Sequence, residues 1–356
     1  MLNPALMQWL EHNAQALDAG DGDPQQVLTQ LAQAGVLRVG ISPALGGSGG
    51  HVSDAVETLA AVASHSLAAA FVFWGQRAFI EYLLHSPNTA LREKLLPALL
   101  SGELAGATGL SNAMKYLSGI EALQVRAANT ADGWTLNGRL HWVTNLRQSG
   151  FLVAAAIEHE EGGSPFVLAI ADDAAGVQRS ADLQLMGLQS SNTAAIDFAQ
   201  VAVGREWLLH EDARKFLPAV RPAFLGLQCG MAIGLARRAL AEVEGHLQDG
   251  RSILLEPLQE QREQLAQSVD ALKQGLHDGR FLTQPGALFQ IRIALAESAA
   301  NAVQLELQSS GGKAYLTEHG SGFARRWRES AFVPIVTPSL VQLRAELQRQ
   351  KREATA

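Results

Sequence analysis

The spacing of apolar residues changes from a helical to a strand-like pattern in the middle of the chain, and then changes back. Residues 1–105 and 213–356 show the three- to four-residue spacing of helices. Residues 106–212 instead contain short alternating segments separated by Gly, Asn and Asp. The first change falls within the stretch Leu104–Asn145. The chain must therefore hold a β insert between two helical blocks.

Two turn signals lie in this stretch, Asp132-Gly133 and Asn137-Gly138. Residues alternate in character from Trp134 to Asn137, and again from Leu140 to Val143. Asn-Gly between two alternating segments is the strongest short-range hairpin signal. We therefore predict a β-hairpin that turns at Asn137-Gly138.

The remaining strand-like segments of the insert are short, β-branched or alternating, and closely spaced. They are Gln124–Ala128, Phe151–Ile157, Phe166–Ala171 and Ala195–Phe198. This spacing favours an antiparallel sandwich or barrel over βαβ units. No GxGxxG follows a strand, which argues against a Rossmann domain.

The first block is predicted to be helical, with one start signal at Asp23-Pro24. Its segments are Pro4–Leu17, Asp54–His65, the apolar Leu67–Leu84, and Arg92–Leu100.

The last block contains longer helical segments, which favour an up-down bundle of about four helices. They are Pro222–His246, Pro257–Leu276, Pro285–Gln308 and a final helix over Pro338–Arg352. Gly226, Gly230 and Gly234 share one face of the first segment. Small residues at this spacing predict close packing against another backbone.

Length and composition narrow the class of protein. A chain of 356 residues exceeds what one core usually supports, and we predict domains at 1–105, 106–212 and 213–356. The 47% hydrophobic and 18% charged residues argue against a disordered chain. The net charge of −7 and the absence of a long basic run argue against a nucleic-acid partner.

The single cysteine, Cys229, excludes an internal disulfide and a cysteine-based zinc site, and its apolar surroundings predict a buried thiol. The histidines form no metal-ligand pattern, so no metal is expected. The uninterrupted apolar run Leu67–Trp74 is shorter than the roughly 20 residues of a membrane span. The N-terminal residues are unlike a signal peptide. We expect a soluble, cytoplasmic protein without a membrane partner.

Several segments resemble, in order, segments of the acyl-CoA dehydrogenase family. Trp134–Asn145 is similar to the family's x-x-Leu-Asn-Gly-x-Lys-x-Trp-Ile-Thr-Asn, the most specific of these matches. The others are Arg92–Glu103, Gly187–Phe198 with Val201–Val203, Gly234–Leu240, and Gln308–Gly312 followed by Arg328–Ser330. The resemblance implies an N-terminal helical domain, a central β domain and a C-terminal four-helix bundle. It also implies a flavoprotein oxidoreductase with FAD as cofactor.

An isoalloxazine ring requires a flat apolar wall and hydrogen-bond donors at its polar edge. Trp142 and Thr144 are suited to these roles, and the resemblance places both against the flavin. It also assigns Thr108 and Ser111 to the flavin loop and Arg251 to the pyrophosphate. It assigns Gln308, Gly311 and Gly312 to the ADP half of FAD across a dimer interface, and Arg221 to an active-site cation.

Two departures from the family pattern concern the cofactor. The flavin loop reads Thr108-Gly109-Leu110-Ser111-Asn112, where the family has Thr-Glu-Pro followed by Gly-Ser-Asp. Arg251 is followed by Ser252 and not by the usual Phe-Gly. FMN, or reduced flavin, therefore stays an alternative to FAD.

A third departure concerns the catalytic base. Thr337 and Val220 stand at the two positions where the family carries its glutamate. Neither side chain can remove a proton from carbon. Glu244, Glu256 and Glu329 are carboxylates by type only, and we interpret them as surface helix charges. The catalytic residue is left unassigned.

Three functions follow from the resemblance. The first is oxidation of CH–CH donors such as acyl-CoA thioesters, with an electron-transfer flavoprotein as partner. The second is monooxygenation with reduced flavin from a separate flavin reductase. The third is a non-catalytic homologue. A homodimer or homotetramer is expected in each case.

Overall fold

The computed structural model describes residues 2–117, 119, 121–247 and 252–355. The first block is helical as predicted, with α1 (Pro4–Ala19), α2 (Pro24–Gln33), α3 (Val52–Ala63), α4 (Leu67–His85) and α5 (Thr89–Ser101). The start signal at Asp23-Pro24 is confirmed, because the Asp23 side chain accepts a hydrogen bond from the Gln25 backbone and Pro24 opens α2.

A sheet forms the middle of the chain, preceded by α5 and followed by a second helical block. Its strands are β1 (Ala105–Thr108), β2 (Val125–Asn129), β3 (Gly133–Val143), β4 (Phe151–His159), β5 (Phe166–Ala171), β6 (Val177–Asp182), β7 (Ala194–Gly204) and β8 (Leu208–His210). The short helix α6 (Ser111–Leu117) follows β1. Within the described residues the strand order is β6-β7-β3-β2-β4-β5-β8, and β1 pairs with β4.

The sheet is mixed and not wholly antiparallel as the spacing suggested. β4 runs parallel to β1 and, over two residue pairs, to β2. The other pairs are antiparallel. The two residue pairs between β2 and β4 join two parts of the sheet, which we call its leaves. One leaf contains β6, β7, β3 and β2, and the other contains β1, β4, β5 and β8. Trp134 of one leaf lies 4.7 Å from Phe166 of the other, measured between ring centroids. The two leaves therefore share one core, as in a sandwich.

The predicted hairpin turn at Asn137-Gly138 is wrong. β3 is one strand of 11 residues that passes through this dipeptide, and its pairing with β7 shifts register between Leu136 and Gly138. Gly138 has a φ of +142°, and the Asn137 side chain accepts a hydrogen bond from the Gln200 backbone. The dipeptide forms a bulge, which needs the same conformational freedom as a tight turn. The hairpin turns at the other signal, where Thr130 donates to the Gly133 carbonyl.

The second helical block contains α7 (Ala213–Gly245), α8 (Leu255–His277), α9 (Arg280–Thr283), α10 (Pro285–Ser310), α11 (Ser321–Phe332) and α12 (Leu340–Thr355). The predicted start of α7 at Pro222 is wrong. Asp212 caps the helix by accepting from the Arg214 backbone, and both Pro218 and Pro222 lie inside it.

The glycines of α7 pack closely as predicted, and the partner is mainly α3 of the first block. A Cβ atom at Gly230 would lie 2.9 Å from the Val56 carbonyl oxygen, and one at Gly234 would lie 2.1 Å from the Ala60 carbonyl oxygen. These contacts join the two helical blocks. The predicted fold class, a mainly helical chain with a β insert, is confirmed.

Among the described helices, α4 and α7 are long and apolar enough to cross a membrane by length and composition. However, 94% and 83% of their most apolar windows are buried inside the protein. Here the two helices serve as the core of the fold. The Cys229 thiol lies in this core, and burial raises its pKa to about 12. The predicted buried thiol is confirmed.

Substituting Gly234→Ala should lower the free energy of unfolding by about 1–3 kcal/mol, because α3 and α7 must separate to admit the methyl group. Chemical denaturation with a circular-dichroism readout measures the change. The matched control is Gly245→Ala in the same helix, where an added Cβ meets nothing within 4 Å. The control should be neutral or stabilising by at most about 1 kcal/mol. Equal behaviour of the two variants would contradict the packing argument.

Candidate functional site

A cavity of 570 Å³ lies between the sheet, α4 and the segment that joins α11 to α12. Its volume falls within the range of small-molecule and cofactor sites. The sheet side contributes Thr108, Ser111, Trp142, Thr144 and Thr193, and the helical side contributes Phe71, Trp74, Arg328, Phe332, Ile335 and Thr337. The structure thus brings four of the predicted flavin contacts, Thr108, Ser111, Trp142 and Thr144, onto one cavity.

Two threonine hydroxyls form the polar part of the sheet wall. Thr108 ends β1 and Thr144 follows β3, and an isolated backbone bridge joins the two residues. The Thr108 hydroxyl oxygen lies 2.7 Å from the Tyr82 phenol oxygen. The Thr144 hydroxyl oxygen lies 3.3 Å from that of Thr193, which is itself 2.8 Å from the Ser191 hydroxyl. Each threonine is therefore held from behind by another hydroxyl.

Trp142 supplies a flat surface beside these hydroxyls. Trp142 is 61% exposed, although tryptophan, as a large aromatic residue, normally buries most of its surface. It lines the cavity and is not enclosed among aliphatic side chains. An indole that remains open at a cavity wall can stack against a planar ligand. The residues present thus fit the ring of a flavin.

A buried amide pair holds this wall in place. The Gln76 side chain of α4 donates to the carbonyls of Leu99 and Leu104 at 2.8 and 2.9 Å, and accepts from the Gly106 backbone at 2.7 Å. Asn145, directly after Thr144, donates to the Gln76 side chain at 2.8 Å and to the Gly106 carbonyl at 3.0 Å. These bonds tie α4, the end of α5, β1 and the end of β3 together.

The charged groups at the cavity are cations with partners. Arg328 donates to the Asp18 carboxylate at 2.6 and 3.0 Å, and the same carboxylate accepts from the backbone of Leu188, another lining residue. Lys115 pairs with Glu121 at 3.3 Å. Among the described residues that line the cavity there is no Asp, Glu or His.

The two positions at which the family carries its catalytic base have different surroundings in this structure. Thr337 lines the cavity, whereas Val220 is fully buried in the core. Of the three alternative carboxylates, Glu244 and Glu256 are exposed as interpreted. The interpretation of Glu329 as a surface charge is wrong. Glu329 is buried, accepts from Arg325 at 2.7 Å and from the Leu67 backbone, and burial raises its pKa.

Arg221 lies outside the 570 Å³ cavity. It lines a neighbouring cavity of 60 Å³, and Gln342 lines both cavities. The guanidinium carbon lies 5.4 Å from the centre of the Phe289 ring, and burial lowers the Arg221 pKa. The structure therefore places this cation next to the candidate site and not within its lining.

The residues assigned to the ADP half of FAD lie at the C-terminal end of α10. Gln308 and Gly312 are exposed, and Gly311 has a φ of +62°. Arg251 lies outside the described residues. None of the described members of this group lines the 570 Å³ cavity.

Sequence reasoning missed the residues that support the site from behind. Gln76 and Tyr82 are fully buried polar residues of α4, a helix interpreted only as an apolar core segment. The available signal was the presence of polar residues in an otherwise apolar helix, since buried polar groups need specific partners.

Comparison with known proteins supports the resemblance predicted from the sequence. Residues 6–103 match the model of the acyl-CoA dehydrogenase N-terminal domain. The chain is 24% identical, over 329 residues, to the probable acyl-CoA dehydrogenase YngJ of Bacillus subtilis, covering 86% of this chain and 85% of that one.

Solved structures agree at the level of the fold. Glutaryl-coenzyme A dehydrogenase in its glutaryl-CoA complex superposes with a TM-score of 0.84 at 17% identity, covering 98% of this chain and 94% of that one. Dibenzothiophene monooxygenase from Paenibacillus sp. A11-2 superposes with a TM-score of 0.78 at 18% identity, covering 97% and 94%. The predicted resemblance is confirmed.

Replacing Gln76 by Met should lower the free energy of unfolding by at least about 2 kcal/mol. The substitution leaves two carbonyls, a backbone N–H and the Asn145 amide without their buried partner, and each orphaned group costs about 1–3 kcal/mol. Urea denaturation measures the loss. The control is Gln259→Met at an exposed position of α8, which should change stability by less than about 0.5 kcal/mol. A Gln76 variant as stable as this control would rule out the proposed role of the amide pair.

Proposed function

We propose that this chain, which has the fold of the acyl-CoA dehydrogenases and their N-terminal domain, binds a flavin in the 570 Å³ cavity and acts as a flavin-dependent oxidoreductase. The observation that carries the proposal is the exposed Trp142 indole, which lines the same cavity as the Thr108 and Thr144 hydroxyls. A flat apolar surface beside hydrogen-bonding groups matches a ring with an apolar face and a polar edge.

FAD is the nominal cofactor, with FMN or reduced flavin as the alternative. We assign the ADP half to Gln308, Gly311 and Gly312, with Arg251 near the pyrophosphate. The three described residues lie at the surface end of α10, apart from the ring cavity. This placement supports a homodimer or homotetramer in which each subunit completes the cofactor site of another. Thr108, at the end of β1, and Ser111, at the start of α6, would contact the ring portion.

The nominal reaction is oxidation of a CH–CH bond in a small-molecule substrate such as an acyl-CoA thioester. A bound flavin supplies the hydride acceptor for such a reaction. The protein must then supply a base for the α-proton, and the described lining residues contain no carboxylate or imidazole. Thr337 stands at one of the two positions where the family carries its catalytic glutamate, but a threonine hydroxyl is far too weak a base. The base must come from outside this lining, and Arg221 is assigned to orienting the substrate.

The lack of a carboxylate or imidazole among the described lining residues favours a second candidate, a monooxygenase that uses reduced flavin. Such a reaction needs a cavity that holds the reduced ring and excludes water, and it needs no carboxylate for carbon deprotonation. The cavity lining is largely apolar and includes Phe71, Trp74, Phe332 and Ile335. A flavin reductase would be the partner in this case, and an electron-transfer flavoprotein in the other. We assign either enzyme to the cytoplasm.

Trp142→Ala should weaken flavin binding by roughly tenfold, which corresponds to about 1.4 kcal/mol of lost stacking and apolar contact. Titration of the purified protein with FAD and FMN, followed by flavin fluorescence, measures the change. The matched control is Trp327→Ala, which removes a partly exposed tryptophan of α11 that is not part of the cavity lining. If both variants bind flavin as tightly as the parent protein, Trp142 is not in the flavin site.

The two reactions are distinguished by redox behaviour. For a dehydrogenase, anaerobic addition of butyryl-CoA to the FAD-loaded protein should bleach the flavin absorbance. For a monooxygenase, acyl-CoA should cause no bleaching, whereas chemically reduced FMN or FAD should bind and react with oxygen on the protein. If the protein binds flavin but shows neither behaviour, both reactions are excluded. Failure to bind either oxidation state excludes the proposed function.

A further inference from the structure

The Tyr82 phenol of α4 has a single hydrogen-bond partner among the described residues. That partner is the Thr108 hydroxyl, with the two oxygens 2.7 Å apart. Tyr82 is fully buried, and its ring packs against those of Phe79 and Phe216, with centroids 6.2 and 6.3 Å away. Burial also raises the pKa of the phenol, so that it keeps its proton. Tyr82 is therefore a permanent donor that can reach one acceptor.

The direction of this hydrogen bond follows from which hydroxyl can find another partner. If Thr108 donated to Tyr82, the phenolic hydrogen would be left among aromatic rings, at a cost of about 1–3 kcal/mol. If Tyr82 donates, Thr108 keeps its own hydrogen, and Thr108 lines the cavity where a ligand or water can accept it. The second arrangement leaves no group without a partner. The Thr108 hydrogen is therefore free to donate into the cavity, while the second lone pair of the same oxygen can still accept.

The neighbouring hydroxyl is not committed in this way. Thr144 contacts Thr193, which contacts Ser191, and both Thr144 and Thr193 line the cavity. Thr193 can turn its hydrogen toward Thr144 or toward the cavity, so that Thr144 can donate or accept as a ligand requires. The cavity thus presents one hydroxyl whose hydrogen is always available, at Thr108, and one whose hydrogen can be turned away, at Thr144.

We propose that Tyr82 is a positioning residue that keeps the Thr108 hydrogen available to a ligand in the cavity, and that the site thereby favours the reduced form of a flavin over the oxidised form. The inference rests on the proposed function, because it requires the flavin to lie against Thr108. Reduction adds negative charge to the acceptor atoms of the flavin's pyrimidine ring, and hydrogen bonds to charged acceptors are about twice as strong as neutral ones. A hydroxyl free to reverse would provide less of this preference.

The test compares Tyr82→Phe, Thr108→Val and the double variant with the parent protein. For each protein, the dissociation constants of oxidised and dithionite-reduced FMN and FAD are measured anaerobically by fluorescence and calorimetry. Tyr82→Phe should weaken reduced-flavin binding by roughly three- to tenfold, the range expected for one hydrogen bond, and oxidised-flavin binding by less. In the Thr108→Val background, adding Tyr82→Phe should change the ratio of the two constants no further.

Two results would overturn the inference. One is an unchanged ratio of oxidised to reduced affinity in Tyr82→Phe. The other is a full Tyr82→Phe effect that persists when Thr108 is Val, which would make the phenol a structural group only. If Tyr82→Phe fails to fold, Thr108→Val alone must still lower the preference for reduced flavin. A parent protein that binds neither flavin form refutes the proposed function itself, whereas a parent that binds flavin with an insensitive ratio refutes only this inference.

Discussion

The junction between the helices and the sheet depends on one buried amide pair, Gln76 with Asn145. Inside a protein an unpaired amide is costly, so the two side chains are confined to the arrangement in which their partners lie within reach. That arrangement places β1 beside the end of β3. Thr108 and Thr144 then face one cavity because the residues directly around them are held from behind. The geometry of the candidate site is thus a consequence of polar satisfaction in the core.

The electrostatics of the cavity complement this rigid frame. Its cations, Lys115 and Arg328, are each paired with a carboxylate outside the described lining, and the remaining polar groups of that lining are mainly hydroxyls. Hydroxyls recognise hydrogen-bonding edges but are poor acids and bases at neutral pH. A site of this composition can bind and orient a ring or a substrate. The reactive group must then come largely from what is bound.

Much of the fold and part of the site could be predicted, and the errors have identifiable causes. That Trp142 and Thr144 lie near each other could be predicted because they belong to one short segment with a specific pattern, and both line the cavity. The predicted turn at Asn137-Gly138 is wrong because a bulge uses the same residue types as a hairpin turn. Only the pairing of β3 with β7 distinguishes the bulge from the turn. The prediction that Glu329 lies at the surface is wrong because it treats a charged helix residue as solvent-exposed, whereas Glu329 is buried in a pair with Arg325.

The sequence by itself determined the order of helical and strand-like segments, several helix starts and the close packing of the α7 glycines. These features follow from local periodicity, capping and side-chain size, which act over a few residues. Only the tertiary structure decided that Tyr82 lies behind Thr108, that Gln76 meets Asn145 and that the described residues of the cavity lining include no carboxylate. Those contacts join residues far apart in the chain, and their partners depend on how the helices and sheet pack.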